Sequence, residues 1–90
     1  MFILAMHGKE KEGAYSVTDE HGEQVLYLFA NGDDAMRYAL MLEEMDYPEM
    51  HVIEVEDDAI MKTCTIHGYH YTVITSNDIV IPPHGDHDFI

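Results

Sequence analysis

A chain of ninety residues makes one domain, and one this short buries only about 60–65% of the surface its unfolded form exposes. Its hydrophobic fraction of 47% excludes the disordered class, while four Lys plus Arg against eighteen Asp plus Glu set a formal charge of −14. That charge argues against binding nucleic acid or an anionic membrane, because every approach to a phosphate meets repulsion, and it favours a basic protein partner or a divalent cation.

The plain alternative is that acidity only keeps a small protein soluble. Protonating the seven histidines below about pH 6.5 would move the formal charge from −14 to −7, so electrostatic docking should weaken in acid. One cysteine, Cys64, cannot form an internal disulfide and points to a reducing compartment. The start, MFILAMHGKE, is apolar for six residues with no basic region ahead of them, unlike a secretory signal. No apolar run approaches the roughly 20 residues that span a bilayer. These features together predict a cytoplasmic protein.

In chain order, Met1 to Met6 is apolar throughout, as expected of a strand inside a sheet. His7 to Gly13 is a polar loop between glycines. Tyr15 to Thr18 and Gln24 to Phe29 are β-rich runs joined by DEHGE, where Gly22 can take the positive φ of a bulged turn. The second run is apolar on both faces and is predicted to be central. A helix is expected from about Asp33 to Asp46, with Asn31, Gly32, Asp33 and Asp34 at its start and Pro48 as its stop. Ala35, Tyr38, Ala39, Leu42 and Met45 fall on its inner side.

His51 to Val55 reads as a strand, and Asp57 and Asp58 as caps of a second helix running to about His67, ended by Gly68. Ala59, Ile60, Thr63, Cys64 and His67 form that helix's expected inner face. Tyr69 to Thr75 and Ile79 to Ile81 are the remaining predicted strands, separated by a turn and closed by Pro82 and Pro83. A single domain thus covers residues 1–83, and residues 84–90 form a His/Asp-rich tail without periodicity. The order β-β-β-α-β-α-β-β predicts an α+β fold. Its sheet is mixed and has four to six strands with two helices on one face, ferredoxin-like or related.

Ligand-type residues occur in two places. Cys64-x-x-His67-x-x-His70 offers a thiol and two imidazoles, and His84, Asp86, His87 and Asp88 crowd into the tail. The first spacing is broken by Gly68, and the second lacks a rigid support, so neither is assigned a metal and no cofactor is predicted. Cys64 reads as buried on a helix, whereas a reactive thiol needs exposure and a cationic neighbour, and Ser16 and Ser76 lack a nucleophile elbow. Glu43-Glu44 and Asp57-Asp58 diverge along their helices, so they do not make an acid/base pair. The sequence is therefore read as non-enzymatic.

What remains is the outer surface of the first helix. Asp33, Asp34, Arg37, Glu43 and Glu44 supply its charges, and Met36, Leu40 and Met41 interleave flexible apolar side chains. The plain alternative is a solvated helix with Asp33 and Arg37 paired at i,i+4. The functional expectation is a small regulatory or assembly adaptor docking on a basic protein partner. Two further readings are a histidine-based metal-binding protein and an acidic inhibitor that mimics nucleic acid, which needs carboxylates along an elongated surface.

The run DDAMRYALMLEEMDYP, with MFILAM, Gly13-Ala14-Tyr15-Ser16 and IVIPP, resembles a family of small cyanobacterial and plastid proteins classed as a domain of unknown function. The segment that carries the resemblance places Asp34, Ala35, Arg37, Tyr38, Ala39, Leu42, Glu43, Asp46, Tyr47 and Pro48. The resemblance implies a photosynthetic source or a virus infecting one, and brings no catalytic residue with it. The histidines of the tail and around Cys64 depart from the pattern.

Overall fold

The computed structural model describes residues 1–78, 80–83 and 87–90. Its strands are β1 (Phe2–Met6), β2 (Tyr15–Thr18), β3 (Gln24–Phe29), β4 (Met50–Glu54), β5 (His70–Ile74) and β6 (His87–Phe89), and its helices α1 (Gly32–Glu44) and α2 (Asp57–His67). A 3-10 turn, Glu10–Glu12, follows β1.

β3 is the hub of a six-stranded mixed sheet. One of its edges pairs in parallel with β5, from Val25 opposite His70 to Phe29 opposite Ile74. The other edge is shared by two antiparallel strands: Phe2 of β1 opposes Phe29, and Ser16 to Thr18 of β2 oppose Leu26 to Gln24. The sheet forks there, with β4 paired along β1 and β6 along β2. The α+β class and mixed sheet are as expected.

The helices, however, lie on opposite faces, not on one. Phe29 and the half-buried Tyr27 join the cluster containing Ala35, Tyr38, Ala39 and Leu42 of α1, whereas Leu26 and Leu28 pack with Cys64 and Ile60 of α2. Crossover handedness explains the correction. β3, β4 and β5 run the same way. Through α1 the chain passes from β3 beyond β1 to β4, and through α2 it returns past both to β5. Two right-handed crossovers made in opposite directions must use opposite faces.

Helix α1 buries Ala35, Tyr38, Ala39 and Leu42 as its period predicts, with Met45 half-buried. Its stop is set before Pro48. Asp46 takes φ 65°, its N–H bonds to the Glu43 carbonyl at 3.0 Å, and the Tyr47 N–H to the Leu42 carbonyl at 3.0 Å. This is a Schellman ending in which Asp stands where glycine is commoner. Gly68, at φ 70°, ends α2 in the same way, with the Tyr69 N–H on the Cys64 carbonyl at 2.8 Å.

The expected caps are not made by side chains. Neither Asn31, the N-cap of α1, nor Glu56, the N-cap of α2, caps through its side chain. Asp57 and Asp58 stand within the first turn of α2, where negative charge still favours the helix dipole. Helix α2 buries only Cys64; Ile60 is half-buried, and Ala59, Thr63 and His67 are exposed. The wide inner face expected of α2 is thus reduced to one line of contact.

The C-terminal segment also differs from expectation. Val80 and Ile81 belong to no strand, and Ile79 lies outside the described residues. His87–Phe89, expected in the tail, form β6, with Tyr15 opposite Phe89 and Val17 opposite His87. Gly13 makes this docking possible: a Cβ there would sit 2.5 Å from the Ile90 carbonyl oxygen.

A chain of hydrogen bonds, buried at its α1 end and half-buried at His87, joins α1, β2 and β6. The Tyr15 and Tyr38 hydroxyls are 2.9 Å apart, Tyr15 Oη also meets His87 Nδ1, and His87 Nε2 meets the Pro83 carbonyl. The carbonyl can only accept, so Nε2 carries a proton. In a neutral ring Nδ1 then accepts from Tyr15, and Tyr15 accepts from Tyr38. Both tyrosines are about 1% exposed. Tyr38→Phe removes only the donor and should cost about 1 kcal/mol, whereas Leu42→Ala opens a cavity in the same layer and should cost about 2–5 kcal/mol. Urea unfolding of the two variants measures both.

Candidate functional site

The residues expected to bind a partner divide between two surfaces. Asp33, Met36, Arg37, Leu40, Glu43 and Glu44 face outward from α1, with Met36 55% and Leu40 53% exposed. Met36 and Leu40 are one turn apart, so they form a single apolar strip edged by carboxylates. Asp34 and Met41 are turned toward the body of the protein. Met41 is half-buried against the core, and the Asp34 side chain is 12% exposed. Arg37 pairs with Asp34 at 3.1 Å instead of with Asp33, one residue closer than the expected i,i+4 spacing.

Asp34 and Met41 line a crevice of about 280 Å³ between α1 and the segment after β5. Phe29 and Ile74 form its floor, Val80 and Ile81 one wall, and Asp34, Arg37 and Asp78 its charged rim. Asp34 Oδ2 accepts from the Ser76 hydroxyl at 2.8 Å, and Ser76 Oγ accepts from the Asn31 side-chain amide at 2.8 Å. Asp78 closes the opposite turn, accepting from the Thr75 N–H at 2.8 Å and the Thr75 hydroxyl at 3.1 Å. The polar side chains at the start of α1 are therefore used to tie the helix to the loop beyond β5. The crevice lies off the carboxyl ends of the parallel strands β3 and β5, where open α/β sheets commonly receive ligands.

Among the described residues the predicted ligand-type clusters do not assemble. Cys64 is buried, His67 stacks on Tyr69 with ring centroids 5.5 Å apart, and His70 Nε2 lies 2.9 Å from Glu23 Oε2. His87 is held inside by Tyr15 and Pro83, while His84 and Asp86 lie outside the described residues. Among the described residues the ligand-type group that does converge is His7, Glu10 and His51, whose ligand atoms lie within 4.8 Å of one another. No local spacing signals it, because His7 and His51 meet only through the β1–β4 register. Ile66, Tyr69 and Tyr71, at 69%, 39% and 39% exposure, are further apolar side chains in solvent that the sequence does not single out.

Titratable groups in the core are held neutral. Burial pushes the phenols of Tyr15, Tyr27 and Tyr38 above their ordinary range, and for Tyr38 the hydrogen bond with Tyr15 adds to the rise. Burial likewise raises the Cys64 thiol, away from the thiolate that nucleophilic chemistry needs. No helix among the described residues is long and apolar enough to cross a membrane.

The chain belongs to a family defined as a domain of unknown function, DUF3110, whose match covers residues 1–84. No curated protein and no solved structure matches it.

Two measurements follow from these environments. Unfolded tyrosines ionise near pH 10, while the three raised phenols keep their protons beyond it. The folded state then binds more protons than the unfolded one, so their contribution to stability is fully present below about pH 10 and falls as the pH rises further. Alkaline difference spectra should show the missing phenolate signal appearing only with unfolding. Cys64, at 1% exposure, should react with a thiol reagent only as fast as the protein opens, and rapid labelling of the native state would contradict its placement.

Proposed function

We propose that this member of a family of unknown function is a non-enzymatic adaptor. In this reading it regulates or helps assemble a basic protein partner through the outer surface of α1. The observation that carries the reading is the strip of Met36 and Leu40, more than half exposed on a helix whose inner side is already buried. Flexible apolar side chains give adaptable contact area, and Asp33, Glu43 and Glu44 beside them select for positive charge. The formal charge of −14 extends that preference over the whole molecule and should speed encounter.

The adjacent crevice suits the same partner. Its apolar floor accommodates the methylene stem of a lysine or arginine, and the Asp78 carboxylate stands at its rim for the charged head, Asp34 being already paired with Arg37. Mimicry of nucleic acid fits less well, because the body measures 34 × 30 × 27 Å and offers no long axis along which to repeat carboxylates. In this reading the adaptor works in the cytoplasm, and the likeness of the α1 segment to cyanobacterial and plastid proteins supports a photosynthetic organism, or a virus infecting one, as its source.

Affinity capture with the wild type and a Met36→Asp, Leu40→Asp variant tests the reading. Both positions are exposed, so the variant should fold with little change in stability. Support requires a specific basic protein retained at about 0.1 M salt, released toward about 1 M as the Debye length shrinks from about 10 to about 3 Å, and not retained by the variant. A partner held equally by both proteins, or indifferent to salt, counts against it, as does the absence of any specific partner.

A further inference from the structure

We propose that His7, Glu10 and His51 form a binding site for a divalent transition cation of the zinc type, separate from the docking surface of α1. The three residues come from different elements. His51 stands on β4 opposite Ala5 of β1, and the same register continues past Met6 and Met50 to a hydrogen bond from the His7 N–H to the Glu49 carbonyl at 2.9 Å. His7 and His51 are therefore diagonal neighbours on one face of an antiparallel pair, where side chains reach one another. Their ring centroids lie 6.1 Å apart.

Glu10 is brought over this pair by the turn that follows β1. Gly8, at φ 79°, reverses the chain, and the Lys9 N–H closes on the Met6 carbonyl at 2.9 Å. Glu10 Oε2 then accepts from the Gly8 N–H at 2.9 Å and lies 3.3 Å from His51 Nδ1. Backbone N–H groups, its own first and then that of Gly8, hold its carboxyl below the ordinary range, so it is ionised at neutral pH. A preset carboxylate facing two imidazoles is the beginning of a metal site.

Donor chemistry names the class of cation. Two imidazoles and one carboxylate form the His2Glu set used by zinc, which leaves a fourth position to water or an incoming ligand. Calcium and magnesium prefer sets made of oxygen atoms. Ligand atoms around tetrahedral zinc stand about 3.3 Å apart, as bonds of 2.0–2.1 Å require. The present spread, within 4.8 Å, must close by about an ångström and a half at its widest. The His51 side chain, 57% exposed, has room to rotate by that much while the Gly8 N–H keeps the Glu10 carboxylate in place. The same exposure makes the site accessible from solvent.

Calorimetric titration of the full chain with zinc chloride tests the proposal, with circular dichroism as the control for folding. One equivalent of zinc should bind and raise the melting temperature. His7→Ala and His51→Ala should each weaken binding by about a hundredfold or more, since outer-shell changes alone cost about 10–100-fold. Glu10→Gln should weaken it in the same direction. His70→Ala, next to Glu23, and His84→Ala, in the C-terminal segment, should leave the affinity unchanged. Nitrogen-15 spectra should show the His7 and His51 rings shifting together as zinc is added. No saturable binding at micromolar zinc would reduce the cluster to a surface ion pair and overturn the proposal. Binding insensitive to His7→Ala and His51→Ala, or removed by His84→Ala, would overturn it equally.

Discussion

A strand that is apolar on both faces has to be covered twice, and β3 is that strand. Tyr27 and Phe29 point one way and Leu26 and Leu28 the other, so neither face can be left to water without losing on the order of 1.5–3 kcal/mol for each large side chain. Both edges are also occupied, one by β5 and the other by β1 and β2 in turn. The two helices follow from this, because one α-helix can cover only one face. Reversal of the chain's path across the sheet, under right-handed crossovers, delivers the second helix to the second face.

The two coverings are unequal. Helix α1 brings four buried side chains, one of them a hydrogen-bonded tyrosine, to its face, whereas α2 brings Cys64 and the partial burial of Ile60. Cohesion is concentrated around Tyr15, which touches Tyr27, Tyr38, His87 and Phe89 ring to ring. Such pairs add about 0.5–1.5 kcal/mol each beyond the area they bury. With its inner side committed, the outer surface of α1 is free of structural duty. The helix can therefore serve the core on one side and the proposed partner on the other.

The two candidate sites sit on different parts of the scaffold and use different physics. The α1 surface and its crevice combine apolar area with fixed negative charge, a combination suited to a large, positively charged partner. The His7–Glu10–His51 group depends on strand register and a tight turn, a combination suited to a small ion. The turn after β1 carries two of the chain's four basic residues, Lys9 and Lys11, so the local field there is less negative than over α1.

Sequence alone determined what local rules control. Apolar runs set β1, β2 and β3, the 3.6-residue period set the buried face of α1, and Gly68 marked the end of α2, because each depends on neighbours a few residues away. The exposure of Met36 and Leu40 was legible for the same reason. Tertiary structure decided the rest. Which face α2 covers depends on where β4 and β5 stand in the sheet, and the strand His87–Phe89 exists because β2 offers it an edge. His87 became half-buried through a contact with Tyr15 across 72 positions, and His7 met His51 only through the pairing of β1 with β4. No short-range pattern encodes such meetings, since they arise when the hydrophobic demands of distant segments are satisfied together.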